Sequence, residues 1–218
     1  DYANVGGWAH NVGWVHYLRG KGDEVLDCAT RAAVHWATAK SGARERSIAI
    51  SLRGVGHQLK GDNATALTAY REALEIHRSL RSESEDVAIG LNDVAALEAR
   101  MGDFDAAKRD WREALRISTA VGHAEGVANY TGNLAGLALD REDWTGAEKM
   151  ARETLPLSEK VGRKELVATN NQRLAKALVR LGRKNEALPY ALKAAELYTQ
   201  LGSPDLAVAQ ATLQECQA

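Results

Sequence analysis

The sequence predicts an all-α chain, an α-solenoid of five helical hairpins closed by a capping helix, and three observations carry that prediction. Alanine, leucine, glutamate and arginine recur at helical spacing, while 218 residues hold only three prolines and one phenylalanine. One segment then returns five times without gaps. It begins at Gly20, Gly61, Gly102, Glu142 and Gly182, at offsets of 41, 41, 40 and 40 residues. Finally, small residues return at fixed places within each copy.

The elements follow in chain order as an A helix and a B helix per unit. Residues 6–46 pair NVGWVHYLR with GKGDEVLDCATRAA, and residues 47–87 pair LRGVGHQLK with GDNATALTAYREAL. Residues 88–127 pair DVAALEARM with GDFDAAKRDWREAL, and residues 128–167 pair NLAGLALDR with EDWTGAEKMARETL. Residues 168–207 pair RLAKALVRL with GRKNEALPYALKAA, and a last A-type helix at about 204–216 caps the end. Glycine at the turn permits a connection that a bulkier residue resists. Pro189 falls in the first turns of its B helix, where a missing N–H is tolerated, whereas Pro156 falls late and predicts a local kink.

The small residues read as a packing code. A helices carry Gly13, Gly54, Ala95, Ala135 and Ala175 at one position. B helices carry Val25, Ala66, Ala107, Ala147 and Ala187 early, then Ala32, Ala73, Ala114, Thr154 and Ala194 near their ends. Side chains of this size let helix axes approach closely, and larger ones would cost about 1–3 kcal/mol in overpacking. One hairpin cannot bury its apolar face alone, so neighbours must stack. Trp111 and Tyr70 share a B-helix position that is Ala29, Ala151 and Ala191 elsewhere. A large aromatic there is expected to fill a gap between hairpins rather than to mark a working site.

This spacing, glycine at the turn with alanine after it, closely resembles the tetratricopeptide repeat in its 40–42-residue variety, over residues 6–207. Repeats of this length are similar to those of kinesin light chains and of bacterial signal-transduction ATPases and regulators. The sequence departs from the family pattern in three ways. The fourth turn glycine is Glu142. The tyrosine usual in the A helix is His16, His57, Glu98, Ala138 and Leu178, and the closing proline is absent.

Composition excludes several functions. Twenty-eight basic and twenty-nine acidic side chains give a net charge of −1, which offers no global attraction for nucleic acid or anionic lipid. No apolar stretch is long enough to span a bilayer and no signal pattern opens the chain, so a cytoplasmic setting is expected. The first residue is Asp1 rather than methionine, as expected of a trimmed chain or a fragment of something longer, and the larger protein expected from the likeness described above is a signalling one. Cys28 and Cys216 lie far apart in sequence and are expected to be reduced thiols, with Cys28 in the core. No GxxxxGK[ST] loop, GxSxG elbow or HExxH helix occurs, and the six histidines lack metal-ligand spacing. Neither catalysis, cofactor nor metal is expected.

The glycine-rich A helices can crowd an inner curve, and the resemblance implies a right-handed superhelix whose concave groove they line. Carried over position by position, the groove residues are His10, Asn11 and Trp14, then Ser51, Val55 and Gln58. Asn92, Asp93, Ala96 and Arg100 follow, then Asn129, Asn133, Gly136 and Asp140, and last Gln172, Arg173, Lys176 and Arg180. Asparagine offers both a donor and an acceptor and can hold an extended peptide backbone without demanding a sequence. The same asparagines also read as solvated side chains or helix caps. Residues 161–200 hold eight basic side chains against three acidic ones, so the expected guest is an acidic peptide or protein segment rather than nucleic acid. The residues at the two-carboxylate clamp positions of chaperone-binding members, Ser51, Leu52, Asn92 and Asp93, do not fit that clamp. The function read here is a protein-interaction scaffold. The alternatives are a peptide or metabolite switch in a regulator, and self-assembly. Trp8 faces the side where a preceding repeat would stand, and contact with an upstream domain or a second copy is expected there.

Overall fold

The computed structural model describes residues 2–217, which form eleven α-helices and no strand. The A helices are α1 (Tyr2–Leu18), α3 (Ala43–Leu59), α5 (Glu85–Arg100), α7 (Ala124–Asp140) and α9 (Lys164–Arg180). The B helices are α2 (Gly22–Thr38), α4 (Asn63–Leu80), α6 (Phe104–Val121), α8 (Trp144–Val161) and α10 (Lys184–Leu201), followed by α11 (Leu206–Gln217). The chain forms two compact units, Asp1–Asp110 and Trp111–Ala218, which divide within α6.

In the first unit α1 through α5 pack each on the next, and the A helices α1 and α3 also touch. In the second, α7 through α11 pack in the same serial way, with α7 on α9 and α9 on α11. The last helix thus stands against α9 as a further A helix would. It covers an apolar face that would otherwise meet water, burying Ala209, Thr212 and Cys216.

The A-to-B turns are five copies of one hydrogen-bonded motif. In each, the residue after the turn glycine donates its N–H five residues back, as Asp62 does to His57 O at 3.0 Å and Asp103 to Glu98 O at 2.9 Å. The turn residue donates three back, which closes a Schellman-type end and satisfies carbonyls that the helix leaves open. That geometry needs positive φ, found at Gly20, Gly61, Gly102 and Gly182. Glu142 takes φ +59 without glycine's freedom and makes the same bonds, Asp143 N to Ala138 O at 2.9 Å and Glu142 N to Leu139 O at 3.1 Å. The aspartate after the turn starts the B helix by capping it, with Asp62 accepting from Thr65 N and Asp143 from Gly146 N.

The small residues lie where the helices close on one another, and all fifteen positions named above are buried. A methyl added at Gly13 would stand 2.8 Å from Leu52 Cδ2, and one at Gly54 would stand 2.7 Å from Tyr70 Cε1. Tyr70 and Trp111 are core residues, Trp111 being 6% exposed. Cys28 is a buried free thiol. α8 runs through Pro156 as one helix to Val161.

Candidate functional site

The A-helix residues singled out from the sequence divide between the two units. On α1, His10 is half-buried and its Nε2 accepts from Trp14 Nε1 at 3.0 Å. Burial holds the His10 imidazole below its ordinary pKa, consistent with that accepting role. Asn11 is exposed and lies beside the His10 ring, while Trp14 stands edge-on to Tyr17 with ring centres 5.2 Å apart. On α3, Gln58 accepts the Tyr70 hydroxyl at 2.7 Å and is thereby tied to the core. Ser51 is half-buried, and Val55 is buried.

On α5, Asn92 and Asp93 are both half-buried, and a hydrogen bond from the Asn92 side chain partly offsets the burial of the Asp93 carboxyl. Desolvation still pushes that carboxyl up to about 7. Ala96 and Arg100 are exposed.

The second unit brings its predicted residues together. Gly136 and Asp140 of α7 join Gln172, Arg173 and Lys176 of α9 around a cleft of about 440 Å³. Leu139, Thr169, Tyr198, Asp205 and Val208 complete it. Asn133, one turn before Leu137, accepts from Arg173 Nη2 at 3.1 Å. The Arg173 guanidinium lies over the α7 backbone in a space left by two glycines. An added Cβ would stand 2.8 Å from Nη1 at Gly132 and 3.0 Å from Nε at Gly136. Desolvation lowers the Arg173 pKa to about 10, so the group stays charged at neutral pH.

Neighbouring polar residues of α9 serve the fold. Asn170 donates to Ser158 Oγ at 2.7 Å and Asn171 to Val167 O at 2.8 Å. Gln172, 8% exposed, donates to Thr212 Oγ1 at 2.8 Å and so fastens α11 to α9. Its side-chain carbonyl oxygen is buried and accepts no hydrogen bond among the described residues. Asn129 is half-buried and makes no hydrogen bond among the described residues.

The basic excess of residues 161–200 is largely met from outside that stretch. Arg163 pairs with Glu125, Arg180 with Glu215, and Arg183 with Glu148 as well as Glu186. Lys193 pairs with Glu196, and Lys164 bonds Gln200. Among the described residues, Lys164, Arg173, Lys176 and Lys184 form no ion pair, and two of these four line the cleft. Sequence reasoning missed Thr169, Tyr198 and Asp205, which reach the cleft from outside the transferred A-helix positions.

Among the described residues no helix is long and apolar enough to cross a membrane, and no group of three or more acidic, histidine or cysteine side chains could hold a metal ion.

Comparison with known proteins agrees with this architecture. The tetratricopeptide repeat family matches residues 45–120, 86–160 and 126–200. No curated protein sequence matches the chain. A Rap protein solved in complex with competence and sporulation factor superposes with TM-score 0.72 at 15% identity, over 100% of this chain and 64% of that one. The nearly identical TPR-like repeats of a candidate kinesin light chain from Podosopora anserina superpose with TM-score 0.69 at 14% identity, over 92% and 98% of the two chains. The apo quorum sensor NprR of B. thuringiensis gives TM-score 0.68 at 13% identity, over 96% of this chain and 57% of NprR. This chain therefore spans somewhat more than half of NprR and under two thirds of the Rap protein.

Proposed function

The chain belongs to the tetratricopeptide repeat family, and from that premise we propose that it is a non-catalytic recognition module whose A helices hold a peptide or a segment of a partner protein. The observation that carries this reading is the cleft of the second unit, where α7 and α9 present Arg173 and Lys176 without ion-pair partners among the described residues. Asn129, on the same helix as Gly132 and Gly136 but outside the cleft lining, makes no hydrogen bond among the described residues and can offer its amide to a peptide backbone. The Rap protein solved in complex with competence and sporulation factor has a similar fold, which supports the same reading here. An acidic guest is proposed for these two cations, which share the cleft with Asp140 and Asp205. A role inside a larger signalling protein, in the cytoplasm, belongs to the same proposal.

A displayed random-peptide library selected on the protein tests this function. Enriched peptides should bind Asn129→Ala at least tenfold more weakly at an unchanged melting temperature. A library that yields no specific binder, or binders indifferent to Asn129, refutes it.

The exposed apolar face of α1 favours a second contact. Trp8 is 71% exposed and stands with Val5, Val12, Val15 and Leu18, all exposed. This edge is proposed to pack against an upstream segment or a second copy. Light scattering over a concentration series, repeated with Trp8→Ser, checks the second copy: association that survives Trp8→Ser excludes this edge.

A further inference from the structure

Where α4 meets α5 in the first unit, the buried side chain of Leu74 lies against the A helix, and a Cβ added at Gly90 would stand 3.2 Å from Leu74 Cδ1. The repeat puts Ala33 of α2 at the position of Leu74, and Leu115 and Leu155 hold it in α6 and α8. In α10 it is Ala195, which belongs to an apolar cluster with Leu206 of the capping helix. Where α2 meets α3 nothing takes the place of the isobutyl group. Ala33, Ala49 and Ile50 line a hollow of about 230 Å³ there, and a second hollow of about 270 Å³ continues from Ala33 past Ala37. Along α2 the two extend from Ala29 to Ala37, a furrow of about 12 Å, or two helical turns, at about 1.5 Å per residue.

The polarity of the furrow is exchanged as well. Arg46 of α3 lines it at a position that is Val5, Val87, Val127 and Val167 in α1, α5, α7 and α9. Arg53 lines it where those helices have Val12, Val94, Leu134 and Leu174. On the α2 wall Val34 is 57% exposed, at a position that is Glu75, Arg116, Pro156 and Glu196 in the other B helices. Arg53 pairs with Glu72 at 2.6 Å, whereas Arg46 is exposed and forms no ion pair among the described residues. Glu72 and Glu75 share a hollow with Arg46 on the α4 side, but Glu72 is held by Arg53 and Glu75 by Arg78. We propose that this furrow, separate from the A-helix site above, docks an amphipathic helix of a partner protein. The guest sets a leucine-class side chain beside Ala33 and, one turn away, a carboxylate on Arg46. The first supplies what Leu74 supplies between α4 and α5, and the second gives Arg46 the charge-assisted pair that it lacks. Both walls are helices whose backbone groups bond within themselves, so a guest between them must satisfy its own, as a helix does.

A monomeric three-helix scaffold, displayed with one helix face randomised and selected on the intact chain, tests this. Enriched helices should carry an aliphatic and an acidic residue three or four positions apart. They should bind Ala33→Leu, which fills the furrow, at least tenfold more weakly, without any loss of melting temperature in that variant. Val34→Glu, a change at an exposed position, should weaken them as much. Arg46→Val should do so too and keep the melting temperature, since valine holds the position in four other A helices. Replacing the acidic residue of a selected helix by its amide should weaken binding to the parent chain and leave binding to Arg46→Val unchanged, a cycle that isolates the pair. The absence of enriched helices, enrichment without an acidic residue, affinity retained in Ala33→Leu or Val34→Glu, a lowered melting temperature in Ala33→Leu, or additive losses in the cycle would each overturn the furrow. A selection whose binders are all lost in Asn129→Ala and indifferent to Val34→Glu refutes it and leaves the A-helix reading standing.

Discussion

Gly54 and Gly7 both lie inside helices, and the same change to alanine should move stability in opposite directions at the two sites. In a helix interior, alanine gains about 0.5–1 kcal/mol over glycine through backbone entropy and propensity. At Gly7 an added Cβ meets nothing within 4 Å, so Gly7→Ala should realise that gain. At Gly54 it stands 2.7 Å from Tyr70 Cε1 and 2.8 Å from Cδ1, well inside the separation of about 3.5–4.0 Å at which carbon atoms attract. The ring cannot swing aside freely, because Tyr70 is buried and its hydroxyl is held by Gln58. Overpacking of this kind costs about 1–3 kcal/mol, which exceeds the propensity gain and leaves a net loss of about 0.5–2 kcal/mol. For a chain of this size 1 kcal/mol moves the melting temperature by about 2–4 °C. Gly54→Ala should therefore melt lower by roughly 1–8 °C and Gly7→Ala higher by roughly 1–4 °C, read by circular dichroism and by urea titration. Introduced into Tyr70→Ala, the Gly54 change should regain its favourable sign. A Gly54→Ala protein as stable as its parent, or a loss that persists beside Tyr70→Ala, would refute the assignment of the small position to close helix approach.

Three more outcomes are expected. Trp111→Ala removes a buried indole and should cost about 3–5 kcal/mol, and a melting curve close to that of the parent would contradict its core position. Glu142 holds a left-handed conformation that costs a non-glycine residue about 1–2 kcal/mol, so Glu142→Gly should raise stability by about 1 kcal/mol in urea unfolding. Asp93 should make stability fall as pH rises. Its carboxyl, held up to about 7 by desolvation, keeps a proton in the fold that the unfolded chain releases from about pH 4, so its contribution is lost between those values. Asp93→Asn should gain on the parent between pH 5 and pH 8, and a stability difference that is the same at both pH values would remove Asp93 as the source.

The helical hairpins were legible because a repeat writes each packing requirement several times. Five residues in one column, Gly13, Gly54, Ala95, Ala135 and Ala175, speak for one buried crossing, and the structure buries every one. Glu142 was legible as a departure. That it would keep the left-handed turn was not, because the deciding bonds come from the backbone of Asp143 and the cap on Gly146 N. Charge was the least legible feature. Counted along residues 161–200 the excess is large, but Arg163, Arg180 and Arg183 find Glu125, Glu215 and Glu148 on neighbouring hairpins. Those partners lie 35–38 residues away, close to one repeat, so a linear window separates charges that stacking brings together.

The same stacking decides which polar A-helix residues remain for a guest. An amide buried without a partner costs about 1–3 kcal/mol, so where helices pack face to face the fold must supply one. Asn170 obtains it from Ser158, Asn171 from its own helix and Gln172 from Thr212. Gln58 is held by Tyr70, and Arg180 is taken by the capping helix through Glu215. Each of these has chemistry suited to recognition and has already used it for cohesion. Arg173 and Lys176 differ because, among the described residues, neither closes an ion pair across the cleft they line, and Asp140 and Asp205 favour the Arg173 charge only from a distance. Four of the other six cations of this stretch close ion pairs, and that contrast is why recognition is proposed on α9 rather than along the whole row of A-helix polar residues.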